Sequence, residues 1–226
     1  MSGSVTSEFT PSEAGEAGPL QRNSGSTTRM AGGMSSNSMK RVTVRPGEIV
    51  LVDADRPTPR SGEILVESTV IGVCGSDTHA AAGHHPFVPL PYNPGHEVVG
   101  VVRELGTDTT GVQVGDRVIV EPTLPCWGCK MCTSGRINLC ENLRFFGCVY
   151  DQGGMADFFT VPANRVHVVP DELTDLQAVL IEPLSTPVHA VRLSGDIAGK
   201  AVAIMGAGPS GSWCWRRPAT SVPAGS

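Results

Sequence analysis

Four cysteines, Cys126, Cys129, Cys132 and Cys140, fall in the spacing C-x2-C-x2-C-x7-C. Four thiolates this close can enclose one metal ion, and the backbone around such an ion has little freedom left. Zinc takes thiolate sulfur in tetrahedral sites and leaves no open position when its task is structural, so the quartet predicts a closed structural site. A disulfide knot fits poorly, because residues three apart cannot form a strain-free set of bridges and the first residues lack the apolar core of an export signal. An iron–sulfur reading would want a fourth cysteine three residues on and followed by proline. Cys140 instead lies eight residues past Cys132 and precedes Glu141.

The chain has 226 residues, enough for one full domain and part of a second. Its net charge of −5 argues against a nucleic-acid surface, which wants a basic stripe, and so against a DNA-binding zinc finger. No window approaches the roughly 18 consecutive apolar residues of a membrane helix. Seven cysteines without paired spacing suit a reducing compartment where thiols act as ligands, and the expected location is the cytoplasm.

Residues 1–39 are rich in Gly, Ser, Thr and Glu, with Phe9 their only aromatic, and read as a disordered leader. Met30, Met34 and Met39 are each candidate starts. From Lys40 the texture changes. Runs at 63–71, 97–104, 117–120, 157–161 and 165–169 are β-branched or alternating and are separated by Gly, Pro and Asp, predicting a compact β-rich domain with mostly antiparallel strands. Beyond Pro170 the apolar spacing becomes helical, and Pro183 and Pro187 predict a break into two segments. Ala201–Met205 then reads as a short strand feeding Gly206-Ala-Gly208-Pro-Ser-Gly211, the context that a G-x-G-x-x-G turn requires.

Two further segments carry chemistry. Cys74 lies in V-C-G-S-D-T-H, and Gly95-His96-Glu97 follows some twenty residues later. A lone cysteine is usually a small buried hydrophobe and a lone loop histidine is usually solvated. Next to the quartet they look like ligands brought by two loops. With G-D-R-V at 115–118, E-P-L at 182–184 and the glycine turn, these motifs stand in the order of one family. From about Lys40 to Gly211 the chain resembles the zinc-dependent medium-chain alcohol dehydrogenases, closest to the sorbitol-like and threonine dehydrogenase branches.

The resemblance implies a mainly β, GroES-like catalytic domain (an irregular β-barrel) over residues 40–185, with 186–226 the start of an α/β Rossmann domain. It implies two zinc ions per chain. Cys74, His96 and either Glu97 or Glu182 would hold the catalytic zinc and leave one position for water or substrate, and a carboxylate at the E-P-L position makes the site harder than the cysteine found there in other members. Ser76 matches the hydroxyl that accepts the alcohol proton and His79 the outer relay group, both able to donate and accept. Gly206, Gly208 and Gly211 would let a pyrophosphate approach a helix N-terminus, with Thr186 near the nicotinamide of NAD or NADP. The implied substrate is a small alcohol or polyol. His84 and His85 read as loop, His167 and His189 as surface or satisfied core positions, and Cys148 and Cys214 as incidental thiols.

The sequence departs from the family after Gly211. A dinucleotide fold needs several more βαβ units of roughly 30 residues, and an acidic residue about 20 positions past the turn to hold the ribose. No Asp or Glu follows Asp196, and the tail contains Trp213, Trp215 and Pro218. The expectation is a C-terminally truncated cofactor domain, produced by a frameshift or premature stop, that binds NAD or NADP poorly. Two functions therefore stand side by side: a zinc-dependent, NAD(P)-linked oxidoreductase acting on a CH–OH group, and a catalytically silent zinc-binding fragment.

Overall fold

Within residues 37–216, which the computed structural model describes, the chain opens on a hairpin of β1 (Ser38–Arg45) and β2 (Glu48–Asp55). Arg45 pairs with Glu48 across Pro46-Gly47, and Gly47 takes a φ of 78°. Proline followed by a residue at positive φ is the chemistry of a type II turn. This hairpin is absent from the predicted strands. Its second strand reads I-V-L-V, with no polar alternation, because Ile49 and Leu51 stay 65% exposed while Val50 and Val52 turn inward. The leader predicted for residues 1–39 lies outside the described residues except for its last three, and Ser38 and Met39 already belong to β1.

The remaining strands are β3 (Glu63–Ile71), β4 (Val98–Leu105), β5 (Arg117–Val120), β6 (Thr123–Leu124), β7 (Arg144–Phe145), β8 (Phe158–Pro162) and β9 (Val166–Val168). Five of them form one sheet in the order β8-β3-β4-β5-β9, with every pairing antiparallel. Successive side chains on a strand face opposite ways. Val98 and Val102 of β4 and Val118 and Val120 of β5 enter a core with Ile64, Val66, Phe146 and Phe159. Val99 and Ile119 face the other side and pack with Val169, Ala178 and Val179. Burial on both faces explains why these strands read as nearly continuous apolar runs. The fold is thus the mainly β domain expected, and the hairpin joins it through backbone bonds from Val42 N to Met155 O (2.7 Å) and from Val44 N to Tyr92 O (2.9 Å).

Helices α1 (Gly75–Ala81), α2 (Lys130–Thr133) and α3 (Asp175–Ala178) are short, and α3 starts at Thr174, whose hydroxyl accepts from the Gln177 N–H. The predicted break at Pro183 and Pro187 does not occur: α4 runs unbroken from Ile181 to Leu193. Pro183 falls in the first turn, where its missing N–H has no partner to lose. Pro187 lies inside the helix and is buried, so the packing of α4 offsets one lost bond. Helix α5 (Pro209–Arg216) packs against α4, and Trp213 lines a cavity of about 410 Å³ with Ile181, Leu184 and Val188.

The strand expected at Ala201–Met205 is also not formed. Among the described residues this segment pairs with no strand, and Val202 and Met205 are 54% and 98% exposed. A strand is stabilised by its ladder, and an apolar run without a neighbour keeps only local structure. The glycine turn itself is compact: Gly206 sits at φ 105° with its carbonyl against Gly211, and α5 starts at the next proline. The predicted helix stop at Pro218 lies outside the described residues.

Arg117 on β5 donates to the Asp175 carboxylate at 2.8 Å, tying the first turn of α3 to the sheet. This bond, and a second from Thr69, hold the Asp175 carboxyl below its ordinary 3.8. A depressed folded-state pKa stabilises above the unfolded value and loses that contribution as pH falls through the folded one. Urea unfolding between pH 6 and 3 should show this acid-side loss, and Asp175→Asn should flatten it.

Candidate metal centre

The cysteine quartet occupies a lobe whose neck is the β6–β7 pair, with Thr123 opposite Phe145 and Leu124 opposite Arg144. Trp127 turns the chain at φ 60°, Cys129 stands directly before α2, and a 3-10 turn at Ile137–Leu139 delivers Cys140. The four sulfurs lie within 4.8 Å of one another. Cys129 Sγ is 3.5 Å from Cys132 Sγ and 3.9 Å from Cys140 Sγ. A tetrahedron with zinc–sulfur bonds of ~2.3 Å has sulfur–sulfur edges of about 3.8 Å, whereas a disulfide is about 2.05 Å. The spacing therefore fits a tetrahedral thiolate cage and excludes bridges.

Backbone N–H groups point at these sulfurs, from Cys126 and Asn142 to Cys140 Sγ at 3.3 and 3.4 Å. N–H donors from Gly128 and Cys129 bring the Cys126 thiol down to about 6, so it is a thiolate at neutral pH. Burial pushes Cys132 up to about 12, and a cation would be needed to draw its proton off.

The second cluster forms where β3 ends and β4 begins. Gly72 N donates to Glu97 O at 2.7 Å, which extends the β3–β4 pairing past Ile71 and Val98 and sets the Cys74 loop beside Gly95-His96-Glu97. Gly72 has no room for a side chain, because a Cβ would collide with the Glu97 carboxylate. Ligand atoms of Cys74, His96 and Glu97 come within 4.8 Å of one another, with His96 and Glu97 only 4% and 9% exposed.

Glu182, in the first turn of α4, is not one of this trio, but its carboxyl feels the group. Burial first, and then the charges of Glu97 and Asp77, push it up to about 7. Asp77 is raised mainly by burial, against the opposing pull of His96 and the Cys74 N–H. Thiol, imidazole and three carboxylates thus gather in a buried space with little positive charge to balance them. That donor set fits a divalent cation of zinc's preferences.

Residues 60–171 match the alcohol dehydrogenase GroES-like domain. Over this stretch the chain belongs to that family. A zinc-type alcohol dehydrogenase-like protein of Haemophilus influenzae is 39% identical over 168 residues, covering 74% of this chain and 49% of the relative. L-galactonate-5-dehydrogenase of Escherichia coli is 36% identical over 168 residues, covering 74% and 48%. The NADH complex of the short chain alcohol dehydrogenase rspB from Escherichia coli CFT073 superposes with a TM-score of 0.72 at 32% identity, covering 78% of this chain and 52% of that one. The chain spans about half the length of the relatives it matches.

The other sequence-predicted residues, inside and beyond this matched stretch, sit as follows. Ser76 and His79 lie three apart on α1, Ser76 half-buried and His79 exposed. Thr186 is exposed on α4, one turn beyond Glu182, and lines an open cavity with Asn138, His189 and Arg192. Gly206 and Gly208 are exposed and Gly211 is half-buried.

Sequence reasoning missed two neighbours of His96. Asp77 Oδ1 and Cys148 Sγ each lie 3.9 Å from its Nδ1. The signal for Cys148 was the glycine before it: Gly147 takes φ 74°, and a Cβ there would stand 2.7–2.8 Å from the backbone of Gly95 and His96. Among the described residues no helix is long and apolar enough to cross a membrane.

Cys132→Ser should remove about one zinc per chain by elemental analysis and speed proteolysis within the lobe. The five-stranded sheet, which contains none of the four cysteines, should keep its far-ultraviolet signal.

Proposed function

We propose that this domain serves the zinc-dependent, NAD(P)-linked oxidation of a small secondary alcohol or polyol. The observation that carries the reading is the convergence of Cys74, His96 and Glu97 at one buried point, with a hydroxyl and an imidazole on the helix that starts there. Cys74, His96 and a glutamate would hold the catalytic zinc, Glu97 being the glutamate whose carboxylate lies within 4.8 Å of the other two ligand atoms and Glu182 the one whose charge is suppressed without a cation. Cys126, Cys129, Cys132 and Cys140 hold the structural zinc. Bound there, the catalytic zinc supplies a Lewis acid that favours the alkoxide, and a nicotinamide supplies the hydride acceptor.

The residues of the chain do the rest. Ser76, half-buried on α1, takes the alcohol proton and passes it outward, and His79, exposed one turn later, delivers it to water. Burial of His96 and Glu97 keeps water from competing at the reacting centre. Thr186 and the turn of Gly206, Gly208 and Gly211 are the cofactor contacts, and α4 carries Thr186 and Glu182 on one face.

A second reading rests on the segment Ala201–Met205, which is exposed and unpaired among the described residues. On it, the 226-residue chain by itself binds zinc and does not turn over. Zinc content and alcohol-dependent nicotinamide absorbance, measured on the same purified chain, separate the two. About two zinc ions with NAD(P) reduction supports the oxidoreductase, and about two without reduction supports the silent domain. A chain holding fewer than that when metal is in excess sinks both.

Proton release adds a sharper check on Glu182. At pH 6, a unit below its raised value of about 7, this carboxyl is mostly protonated and must ionise when a cation arrives. Calorimetry of zinc binding in buffers of different ionisation enthalpy should find close to one more proton released than from Glu182→Gln at pH 6, and no difference at pH 8.5.

A further inference from the structure

His96 stands between two sets of donors of the same kind. On one side are the thiol of Cys74 and the carboxylate of Glu97. On the other are the thiol of Cys148 and the carboxylate of Asp77, whose ligand atoms come within 4.8 Å of each other and of the imidazole. We propose that Asp77, His96 and Cys148 form a second position for a divalent cation with zinc's taste for nitrogen and sulfur, alternative to the one at Cys74, His96 and Glu97. The proposal depends on the zinc reading above only through His96, which both positions share.

Three observations on this chain carry it. Asp77 is 7% exposed and its Oδ1 has no hydrogen-bond partner, although its Oδ2 accepts from Cys74 N at 3.1 Å. A buried carboxylate oxygen left without a donor is unfavourable, and this one faces His96 Nδ1 from 3.9 Å, beyond hydrogen-bond reach. Cys148 Sγ stands at the same 3.9 Å from that nitrogen, a long sulfur contact, so carboxylate and thiol approach the same nitrogen of the imidazole. Donors in a zinc site are kept apart in this way, since bond lengths of ~2.0–2.3 Å place neighbouring ligand atoms roughly 3–4 Å apart.

The arrangement is also built rather than incidental. Gly147 seats its backbone against Gly95 and His96, which fixes Cys148 beside the ring, and Phe145 holds that ring edge-on at 5.6 Å between centroids. Asp77 is fixed in turn as the third residue of α1, with its own N–H bonded to Cys74 O at 3.0 Å.

One imidazole serves two cations at once only as imidazolate, so near neutral pH the positions exclude each other. Binding at the second position forms a sulfur–metal bond and releases the Cys148 proton to solvent, with no change of oxidation state.

Cobalt titration tests this, because thiolate ligation to Co2+ gives a near-ultraviolet charge-transfer band. The chain is titrated with the lobe kept in its zinc form, and cobalt bound outside the lobe is counted. Wild type, Cys74→Ser and Cys148→Ser should each take up about one such ion with a thiolate band, and Cys74→Ser/Cys148→Ser should lose the band. In the Cys74→Ser background, Asp77→Asn should weaken uptake at least ~10-fold while cooperative unfolding shows the fold intact.

A Cys74→Ser chain that folds but binds no cobalt with a thiolate band overturns the proposal. So does a band that survives the double substitution. Failure of the Cys74 position instead shows as Cys148→Ser losing its cobalt while Cys74→Ser keeps it, so the two ideas fail separately.

Discussion

The bond from Gly72 N to Glu97 O is the constraint on which the rest of the site depends. It carries the β3–β4 ladder one step past Ile71 and Val98, so two loops far apart in sequence leave the sheet side by side. Everything at the metal centre hangs from that step. Burying Asp77, His96 and Glu97 with so few hydrogen bonds is unfavourable, and the sheet core of Val66, Val98, Val102 and Phe159 supplies the compensating burial. The polar cluster sits at the end of the β3–β4 pair, where that burial is anchored.

The charge balance points the same way. Burial raises Glu182, Asp77 and Cys148 together, the charge of Asp77 adds to the rise at Glu182 and at Cys148, and His96 and the Cys74 N–H oppose the rise at Asp77. Groups that suppress one another's ionisation are poised to ionise together when a cation enters. The lobe behaves differently: its N–H donors have already lowered Cys126 and Cys129, so part of the cage is preorganised before metal arrives. One centre is a clamp assembled by local backbone and the other a depot of restrained charge assembled by tertiary contact.

This contrast also explains what could be read from sequence. The grouping of the four lobe cysteines was legible, because they lie within one short segment and their spacing encodes the geometry, whereas the short strands and turns that carry them were not. Strands β3 and β5 were legible to the residue, since both are rich in β-branched residues and bounded by Gly, Asp and Pro turn signals. The β1–β2 hairpin was not, because exposed Ile49 and Leu51 erase the alternation that marks a half-buried strand. Pro183 and Pro187 misled for a local reason: one falls where a helix needs no donor and the other is held by packing. The segment Ala201–Met205 has strand composition but, among the described residues, no ladder to join. Cys148 escaped notice because its link to His96 spans 52 residues and is made by a glycine contact that spacing does not record.

Helix α4 joins regions that a motif-by-motif view keeps apart. Its 13 residues make a rod of about 20 Å, with Glu182 among the metal-centre charges at one end and α5, begun by the glycine turn, packed along its side. A rod tilted by ten degrees displaces its far end by about 3 Å, so Glu182 and the turn cannot be adjusted independently. The glycine turn and the Glu182 carboxylate thus hang on one rod, and the angle at which α4 lies against the sheet sets the place of both.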